Sequence, residues 1–231
     1  MATIYLIRHG QASFGADDYD ALSELGHEQA IVAGEALFKK GLPQRILAGT
    51  MLRHFQTYDG ATKDSIASLP ELEKVEGWNE YDHQAVLGAL DERLATPASM
   101  KAYMREFPDP KKAFVKMYQE AIERWASGKH DDDYAESWSQ FQQRVSDAFA
   151  NLGATLGAKE SAWVFTSGGP ISVILQQLLQ LPQRNILKLN WTLVNAGFSK
   201  VVITPNKTFL ATLNEHSHFE APDKQAMITY K

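Results

Sequence analysis

The sequence contains no cysteine among its 231 residues. That absence excludes disulfide bonds, thiolate nucleophiles and cysteine-ligated zinc sites. No run of 18 apolar residues occurs, so we expect no membrane-spanning helix. Positive charge is also scarce, since 23 Lys and Arg against 28 Asp and Glu give a formal net charge of -5. A general nucleic-acid binder would need a basic face, so we expect no nucleic-acid partner. The N-terminal residues lack the pattern of a signal peptide, and we expect a cytoplasmic protein.

Hydrophobic residues make up 44% of the chain and charged residues 22%, which is typical of a globular protein. Three short apolar runs are each followed by a loop and then a helical pattern. The expected strands are Thr3–Ile7, Arg45–Ala48 and Trp163–Thr166, and the expected helices are Ser23–Lys40, Leu52–Ala67 and Ile171–Leu181. Repeated strand-loop-helix units predict a three-layer α/β/α fold with a mostly parallel sheet. Segments 193–203 and 208–213 predict a hairpin at the edge of the sheet.

The middle of the chain, from Asp82 to Gly157, has helical periodicity. Its apolar stripe favours core packing, and consists of Trp138, Phe141, Val145, Ala148, Phe149, Leu152 and Leu156. The run Lys129–Asp133 is strongly charged. We interpret it as a solvated turn in preference to a metal site.

Three loops follow the carboxyl ends of the predicted parallel strands, namely Arg8–Ser13, Gly49–Arg53 and Ser167–Pro170. Ligands of doubly wound sheets bind at such ends. The loops supply arginine, histidine, serine and glycine, which is the composition of an oxyanion site.

Individual residues in these loops suit phosphate chemistry. The planar fork of Arg8 suits two phosphate oxygens, and His9 suits attack on phosphorus if a backbone carbonyl holds its other ring nitrogen. Ser13 is a candidate phosphate ligand, with capping of the loop as the alternative. Gly168 and its neighbour Gly169 are positioned to offer backbone N–H groups to an anion, with a ligand-free tight turn as the alternative.

Four segments resemble motifs of the histidine phosphatase, or phosphoglycerate mutase-like, superfamily, and with two late stretches they follow the family order along residues 2 to 219. Leu6–Gln11 (LIRHGQ) resembles the loop that holds the phosphorylated histidine, and residues 22–30 (LSELGHEQA) resemble Leu-Thr-x-x-Gly-x-x-Gln-Ala. Residues 48–57 (AGTMLRHFQT) resemble a segment containing Ser-x-Leu-x-Arg-Ala-x-x-Thr. Residues 78–82 (WNEYD) resemble the Leu-Asn-Glu segment that supplies the acid. Two late stretches, 195–197 and 213–218, fall where the family has a strand and a closing turn.

The resemblance implies a phosphatase that hydrolyses a small phosphomonoester, with no metal and no cofactor. His9 would become phosphohistidine, and Glu80 would protonate the leaving alcohol and then activate water. Arg8 and Arg53 would stabilise the equatorial oxygens. Glu73 and Glu76 are alternatives to Glu80, which we prefer because Asn79-Glu80 matches the family dipeptide. The resemblance also implies one domain over residues 1–231, with a helical cap inserted at about 82–135.

The chain departs from the family pattern at Ser167. Family members have a second histidine in the loop after this strand, and Ser167 takes that position as a phosphate ligand. Four other histidines are candidates to compensate, of which we prefer His83; the others are His54, His216 and His218. If Ser167 marks lost chemistry, the alternative function is a module that binds phosphorylated ligands or a partner. A phosphoglycerate-type mutase is a third possibility, disfavoured because no cluster of basic residues flanks the motifs. Substrate identity and oligomeric state stay open.

Overall fold

The computed structural model describes residues 1–13 and 20–230. In this part of the chain six strands form one sheet: β1 (Ala2–Arg8), β2 (Arg45–Ala48), β3 (Leu72–Lys74), β4 (Ser161–Thr166), β5 (Phe198–Ile203) and β6 (Thr208–Glu215). The order across the sheet is β3-β2-β4-β1-β5-β6. The first four strands are mutually parallel, and β5 and β6 form the antiparallel edge. The predicted mixed α/β fold with a mostly parallel sheet and an edge hairpin is confirmed.

Eight helices accompany the sheet in the described residues. They are α1 (Glu24–Phe38), α2 (Leu52–Thr62), α3 (His83–Leu90), α4 (Pro97–Met104), α5 (Pro110–Ala126), α6 (Trp138–Thr155), α7 (Gly168–Leu179) and α8 (Ile186–Thr192). Short 3-10 turns separate several of them. No helix in the described part of the chain is both long and apolar enough to cross a bilayer.

Local sequence accounts for the elements that carry the strand-end loops. β1 and β4 are almost completely buried because both faces are covered, and both are continuous apolar runs. Ser23 caps α1, since its side chain accepts a hydrogen bond from the backbone N–H of Gly26 at 3.1 Å. Pro170 lies in the first turn of α7, where a missing N–H leaves no hydrogen bond unmade.

Several predicted boundaries differ from the structure. The strand expected from residue 193 begins at Phe198, because residues 193–197 form a loop in which Ala196 has a positive φ of 55°. The helix expected to reach Ala67 ends at Thr62, and the helix expected from Ile171 begins at Gly168. The three-residue strand β3 was not predicted, because its half-exposed residues show neither alternation nor an apolar run.

The described chain divides into two compact units, Met1–Glu80 with Val145–Lys231 and Tyr81–Arg144. The second unit has an aromatic core in which the ring of Trp125 lies 4.8 Å from that of Tyr81 and 5.6 Å from that of Phe141. The segment expected to form a helical cap, about 82–135, lies within this unit, and its role as a cap stays a prediction. Five members of the predicted helical stripe are buried: Trp138, Phe141, Val145, Ala148 and Leu152.

The charged run Lys129–Asp133 is mostly exposed and ends in a 3-10 turn. Asp133 forms an ion pair with Arg124 in place of a metal cluster. Within the residues described, no three His, Cys, Asp or Glu side chains are grouped so as to hold a metal ion.

Candidate active site

Three strand-end loops of the first unit bring together basic and polar side chains that are almost fully buried. Arg8 is the last residue of β1 and is 3% exposed, His9 follows it at 8%, and Arg53 in the first turn of α2 is 4% exposed. Two buried guanidinium groups beside an imidazole are costly for folding unless anions balance them. Such a cluster is a strong indication of a functional site.

The backbone of His9 is held from two sides. Its N–H donates to the carbonyl of Thr166 at 2.9 Å, which joins the loop after β1 to the end of β4. Its carbonyl accepts hydrogen bonds from the Ala196 N–H at 3.1 Å and from Asn195 Nδ2 at 3.3 Å. The loop before β5 therefore holds His9 on the side away from β4. The sequence did not predict this role for Asn195.

The imidazole of His9 is also held at one nitrogen. Nδ1 lies 2.7 Å from the carbonyl oxygen of Gly10, and because a carbonyl only accepts, Nδ1 carries the hydrogen. The lone pair of the neutral ring is therefore on Nε2. Burial lowers the pKa of His9 well below its usual value, and Arg53, Arg8 and His54 lower it further. The ring is neutral at pH 7, with Nε2 as a nucleophilic atom.

Close backbone packing fixes the loop that follows His9. A Cβ on Gly10 would lie 2.3 Å from the carbonyl oxygen of Gly26, so only glycine fits there. The N–H of Gly10 donates to Thr57 Oγ1 at 3.1 Å, and Thr57 donates to the carbonyl of Arg53 at 2.6 Å. Helix α2, which carries Arg53, is thereby tied directly to the His9 loop. Thr57 is the last residue of the segment that resembles a family motif, so its position was signalled by the sequence.

The two arginines have different supports. Nη1 of Arg53 forms an ion pair with Asp20 Oδ1 at 2.6 Å, and Asp20 Oδ2 accepts the N–H of Leu52 at 2.8 Å. Nη1 of Arg8 donates to the carbonyl of Leu193. Asp20 was missed by sequence reasoning, because a partner 33 positions away leaves no local pattern. Both guanidinium groups lower the pKa of His9, and their binding of phosphate stays a prediction.

The side chain of Glu80 contacts the first turn of α7. Its Oε2 accepts the backbone N–H of Gly169 at 3.0 Å. The preceding Asn79 exchanges two hydrogen bonds with Thr50, at 2.6 and 2.7 Å, and so ties this segment to the loop after β2. The Asn79-Glu80 pair therefore connects two of the three strand-end loops.

The two alternative acids occupy different surroundings. Glu73, on β3, accepts two hydrogen bonds from the guanidinium of Arg45 at 2.7 and 2.5 Å. These bonds lower the pKa of the Glu73 carboxyl, which therefore stays ionised and is a poor proton donor. Glu76 is exposed on the 3-10 turn Glu76–Trp78. The geometry favours Glu80 over both.

Ser167 is fully buried, and its hydroxyl is hydrogen-bonded to Nε2 of His54 at 2.7 Å. The ring of His54 lies 6.0 Å from that of His9. His216 and His218 instead contact the carbonyls of Asn214 and Ala196. Direct binding of phosphate by Ser167 stays a prediction.

The remaining predicted residues have less defined roles. His83, the preferred compensating histidine, begins α3 in the second unit, and its part in the site stays a prediction. The backbone N–H of Ser13 donates to the carbonyl of Ala21 at 2.8 Å, and both predicted roles of the Ser13 side chain stay open. Gly168 lies so close to Asn190 that a Cβ would meet Asn190 Oδ1 at 2.0 Å. This close packing requires glycine at 168 whether or not its N–H contacts a ligand.

A sequence profile of the histidine phosphatase superfamily, branch 1, matches residues 4–124 and 104–216. The chain belongs to the histidine phosphatase superfamily. The four segments that resemble its motifs all lie within the matched residues. A comparison with curated protein sequences found no significant match.

Several solved structures share the fold at low identity. A phosphoserine phosphatase mutant from Entamoeba histolytica, in complex with phosphoserine, is 16% identical with a TM-score of 0.64, covering 94% of this chain and 99% of that one. Mycobacterial glucosyl-3-phosphoglycerate phosphatase with VO3 is 22% identical with a TM-score of 0.62, covering 93% and 99%. Phosphoglycerate mutase from Bacillus anthracis is 19% identical with a TM-score of 0.63, covering 94% of each chain. At these identities the likeness establishes the fold alone.

Proposed function

We propose that this protein is a phosphatase that hydrolyses a small phosphomonoester through a phosphohistidine on His9. One observation carries the proposal. The neutral imidazole of His9 has its Nδ1 hydrogen held by the carbonyl of Gly10, so that Nε2 is available for attack, and two buried arginines lie close enough to lower its pKa. A nucleophile held between two fixed cations suits transfer of a phosphoryl dianion.

The first step transfers the phosphoryl group. Nε2 of His9 forms a bond to phosphorus while the bond from phosphorus to the ester oxygen breaks. Arg8 and Arg53 stabilise the charge on the phosphoryl oxygens, and the carboxyl of Glu80 gives its proton to the departing alcohol. The contact between Glu80 and the start of α7 supports this assignment, because it holds the carboxyl in the same strand-end cluster.

The second step returns the enzyme to its starting state. The Glu80 carboxylate takes a proton from water as the oxygen attacks phosphorus, and the bond to His9 Nε2 breaks. Inorganic phosphate leaves, and Glu80 is again protonated for the next substrate. The two steps need no metal ion, because the arginines supply the positive charge and the histidine supplies the nucleophile.

The substrate class rests on fold neighbours and on the site. Two neighbours are named for phosphoserine and glucosyl-3-phosphoglycerate, both small phosphorylated molecules. We infer a small phosphomonoester for this chain as well. A module that only binds phosphorylated ligands is the second candidate. It is supported by Ser167, where the family pattern has a histidine, and it is disfavoured by the acid Glu80, for which a binder has no use.

Hydrolysis of p-nitrophenyl phosphate across pH 5 to 8 tests the proposal. We expect turnover by the wild type, loss of turnover in His9→Ala, and no change in His27→Ala, which removes an exposed histidine of α1. Equal turnover by His9→Ala and the wild type would contradict a phosphohistidine mechanism. Tight phosphate binding without turnover of aryl or alkyl phosphates would instead favour the binding module.

A further inference from the structure

A second imidazole is buried beside the proposed nucleophile, and the proposed mechanism does not use it. His54 follows Arg53 on α2, is fully buried, and has its ring 6.0 Å from that of His9. Its Nε2 is hydrogen-bonded at 2.7 Å to the hydroxyl of Ser167, which is also fully buried. A leucine or methionine would fill the same space without burying polar atoms, so packing alone does not account for a histidine.

The backbone around His54 is shaped to admit its ring. A Cβ on Gly49 would lie 2.3 Å from Nδ1 of His54 and 2.7 Å from Asn79 Oδ1. Nδ1 faces this backbone without an aligned hydrogen bond among the described residues. Only glycine at position 49 leaves room for the imidazole next to Asn79.

Gly49, His54 and Ser167 are also positions where the chain departs from the motifs that it resembles. Gly49 stands at the serine and His54 at the alanine of the segment compared with Ser-x-Leu-x-Arg-Ala-x-x-Thr, and Ser167 stands where a histidine is usual. In the structure His54 lies against Gly49 and is hydrogen-bonded to Ser167. A large residue at 54 is matched by small residues at 49 and 167.

The hydrogen bond joins two parts of the site that are distant in sequence. His54 lies in the first turn of α2 beside Arg53, and Ser167 directly precedes α7, whose Gly169 N–H donates to Glu80. A buried hydrogen bond is strong, because no water competes for either partner. The pair therefore fixes the arginine-bearing helix against the turn that places the acid.

We propose that His54 is a positioning residue of the active site, with Ser167 as its anchor. Together they hold Arg53 and the start of α7 in register around His9. Both side chains are fully buried and bonded to each other, so the proposed role acts through the groups that they position. The inference rests on the proposed phosphatase function.

Matched substitutions separate a polar role from a packing role. His54→Met keeps most of the volume and removes the hydrogen bond, whereas His54→Gln places an amide at the reach of Nε2. We expect His54→Met and Ser167→Ala to lower kcat on p-nitrophenyl phosphate by about tenfold to a hundredfold, since small misplacements of a site have effects of that size. We expect His54→Gln to retain kcat within about threefold.

A second readout follows the hydrogen bond itself. In protein labelled with ¹⁵N at histidine, Ser167→Ala should shift the Nε2 resonance of His54 while the Nδ1 resonance of His9 keeps its position. Leu37→Ala, a buried change in α1 away from the site, serves as the stability control, and we expect a lower Tm with unchanged kcat. An equal loss of kcat in Leu37→Ala would assign the effect to general destabilisation and overturn the proposal.

Failure of this inference differs from failure of the proposed function. If His9→Ala loses turnover while His54→Met and Ser167→Ala both keep kcat within about twofold, the positioning role is wrong and the phosphatase stands. If the wild type turns over no p-nitrophenyl phosphate, the affinity for inorganic phosphate is measured instead of kcat. A loss of affinity of at least about tenfold in His54→Met and Ser167→Ala then supports the pair, and unchanged affinity in both overturns it.

Discussion

The two compact units differ in the burial of particular arginines. In Met1–Glu80 with Val145–Lys231, Arg8 and Arg53 are almost fully buried beside a neutral histidine. In Tyr81–Arg144, Arg93 forms a surface ion pair with Asp91 at 2.6 Å, and Arg144 forms one with Glu136 at 2.6 Å. Surface pairs of this kind contribute little to stability.

The two units also differ in how many polar and charged side chains their cores contain. The second unit buries aromatic rings around Trp125, whose Nε1 donates to the carbonyl of Glu136 at 2.9 Å, so its polar atom is satisfied. The first unit combines an aliphatic and aromatic core with the buried cluster of Arg8, His9, Arg53 and His54. The second unit thus has a normal core, whereas the first unit keeps charges that a fold alone would exclude. The cost of burying them indicates where function resides.

The largest effect that we expect is a loss of kcat/KM, and it distinguishes Glu80 from Glu73 as the general acid. Glu80→Gln should lower kcat/KM by about 10² to 10⁴, the range of general acid–base catalysis. The loss should be larger with an alkyl phosphate than with p-nitrophenyl phosphate, because p-nitrophenolate leaves without a proton. Kinetics on both substrates check this. Glu73→Gln is the matched control and should leave kcat/KM on both substrates unchanged. A loss in Glu73→Gln with no loss in Glu80→Gln would assign the general acid to Glu73.

The next effect compares an arginine buried in the candidate site with an arginine at the surface of the second unit. Arg53→Ala should lower kcat/KM by about 10² to 10³, since it removes a fixed donor to the phosphoryl oxygens. Arg124→Ala, which breaks the surface pair with Asp133, should leave turnover of p-nitrophenyl phosphate unchanged. Similar kinetic losses in the two variants would remove the distinction between the units.

The third effect is a dependence of stability on pH. Burial lowers the pKa of His9 and of His54 well below 6.5, and lowers that of His218 to about 4. The unfolded chain therefore binds more protons than the folded one as pH falls below about 6.5, so stability is lost on acidification. Each such histidine adds at most about 1.4 kcal/mol per pH unit to the slope.

Urea unfolding at pH 5, 5.5, 6 and 7 measures that slope. His54→Gln should flatten it by one histidine's share, because the amide does not titrate. A slope equal to that of the wild type would mean that His54 is not kept neutral by burial.

The smallest effect concerns the ion pair of the first unit that lies outside the site. Arg45→Ala removes the contacts with Glu73, whose side chain is 40% exposed, and solvent screens such a pair. We expect a loss of about 1 kcal/mol or less in the free energy of unfolding, with unchanged turnover. Thermal unfolding and p-nitrophenyl phosphate assays check both points. A large loss of turnover would place Arg45 in the site and contradict its structural role.

Local patterns predicted much of the fold. β2 has the expected bounds, and Ser23 caps α1, because apolar runs and capping residues act over short distances. The strand β3 and the loop 193–197 were missed, since both depend on neighbours far away in sequence.

The candidate site divides along the same line. His9, Arg8, Arg53 and Glu80 could be proposed from the sequence because each lies in a recognisable segment. The contacts that hold these residues could not be predicted, because each joins positions far apart in the sequence. Asp20 is 33 residues from Arg53, Asn195 is 186 residues from His9, and His54 is 113 residues from Ser167. No spacing rule connects a helix turn to a loop more than a hundred residues later, so the bond between His54 and Ser167 could not be predicted. The preference for His83 came from its position three residues after Glu80, and it stays a prediction.

The most direct test is to trap the covalent intermediate. Protein mixed with p-nitrophenyl phosphate is quenched in alkali within the first turnovers, since phosphohistidine survives alkali and is lost in acid, and the peptides are mapped by mass spectrometry. We expect an acid-labile phosphoryl group on His9 that is absent from His9→Ala. A phosphoryl group on another residue, or release of p-nitrophenol with no labelled histidine and no burst, would contradict a phosphohistidine mechanism at His9.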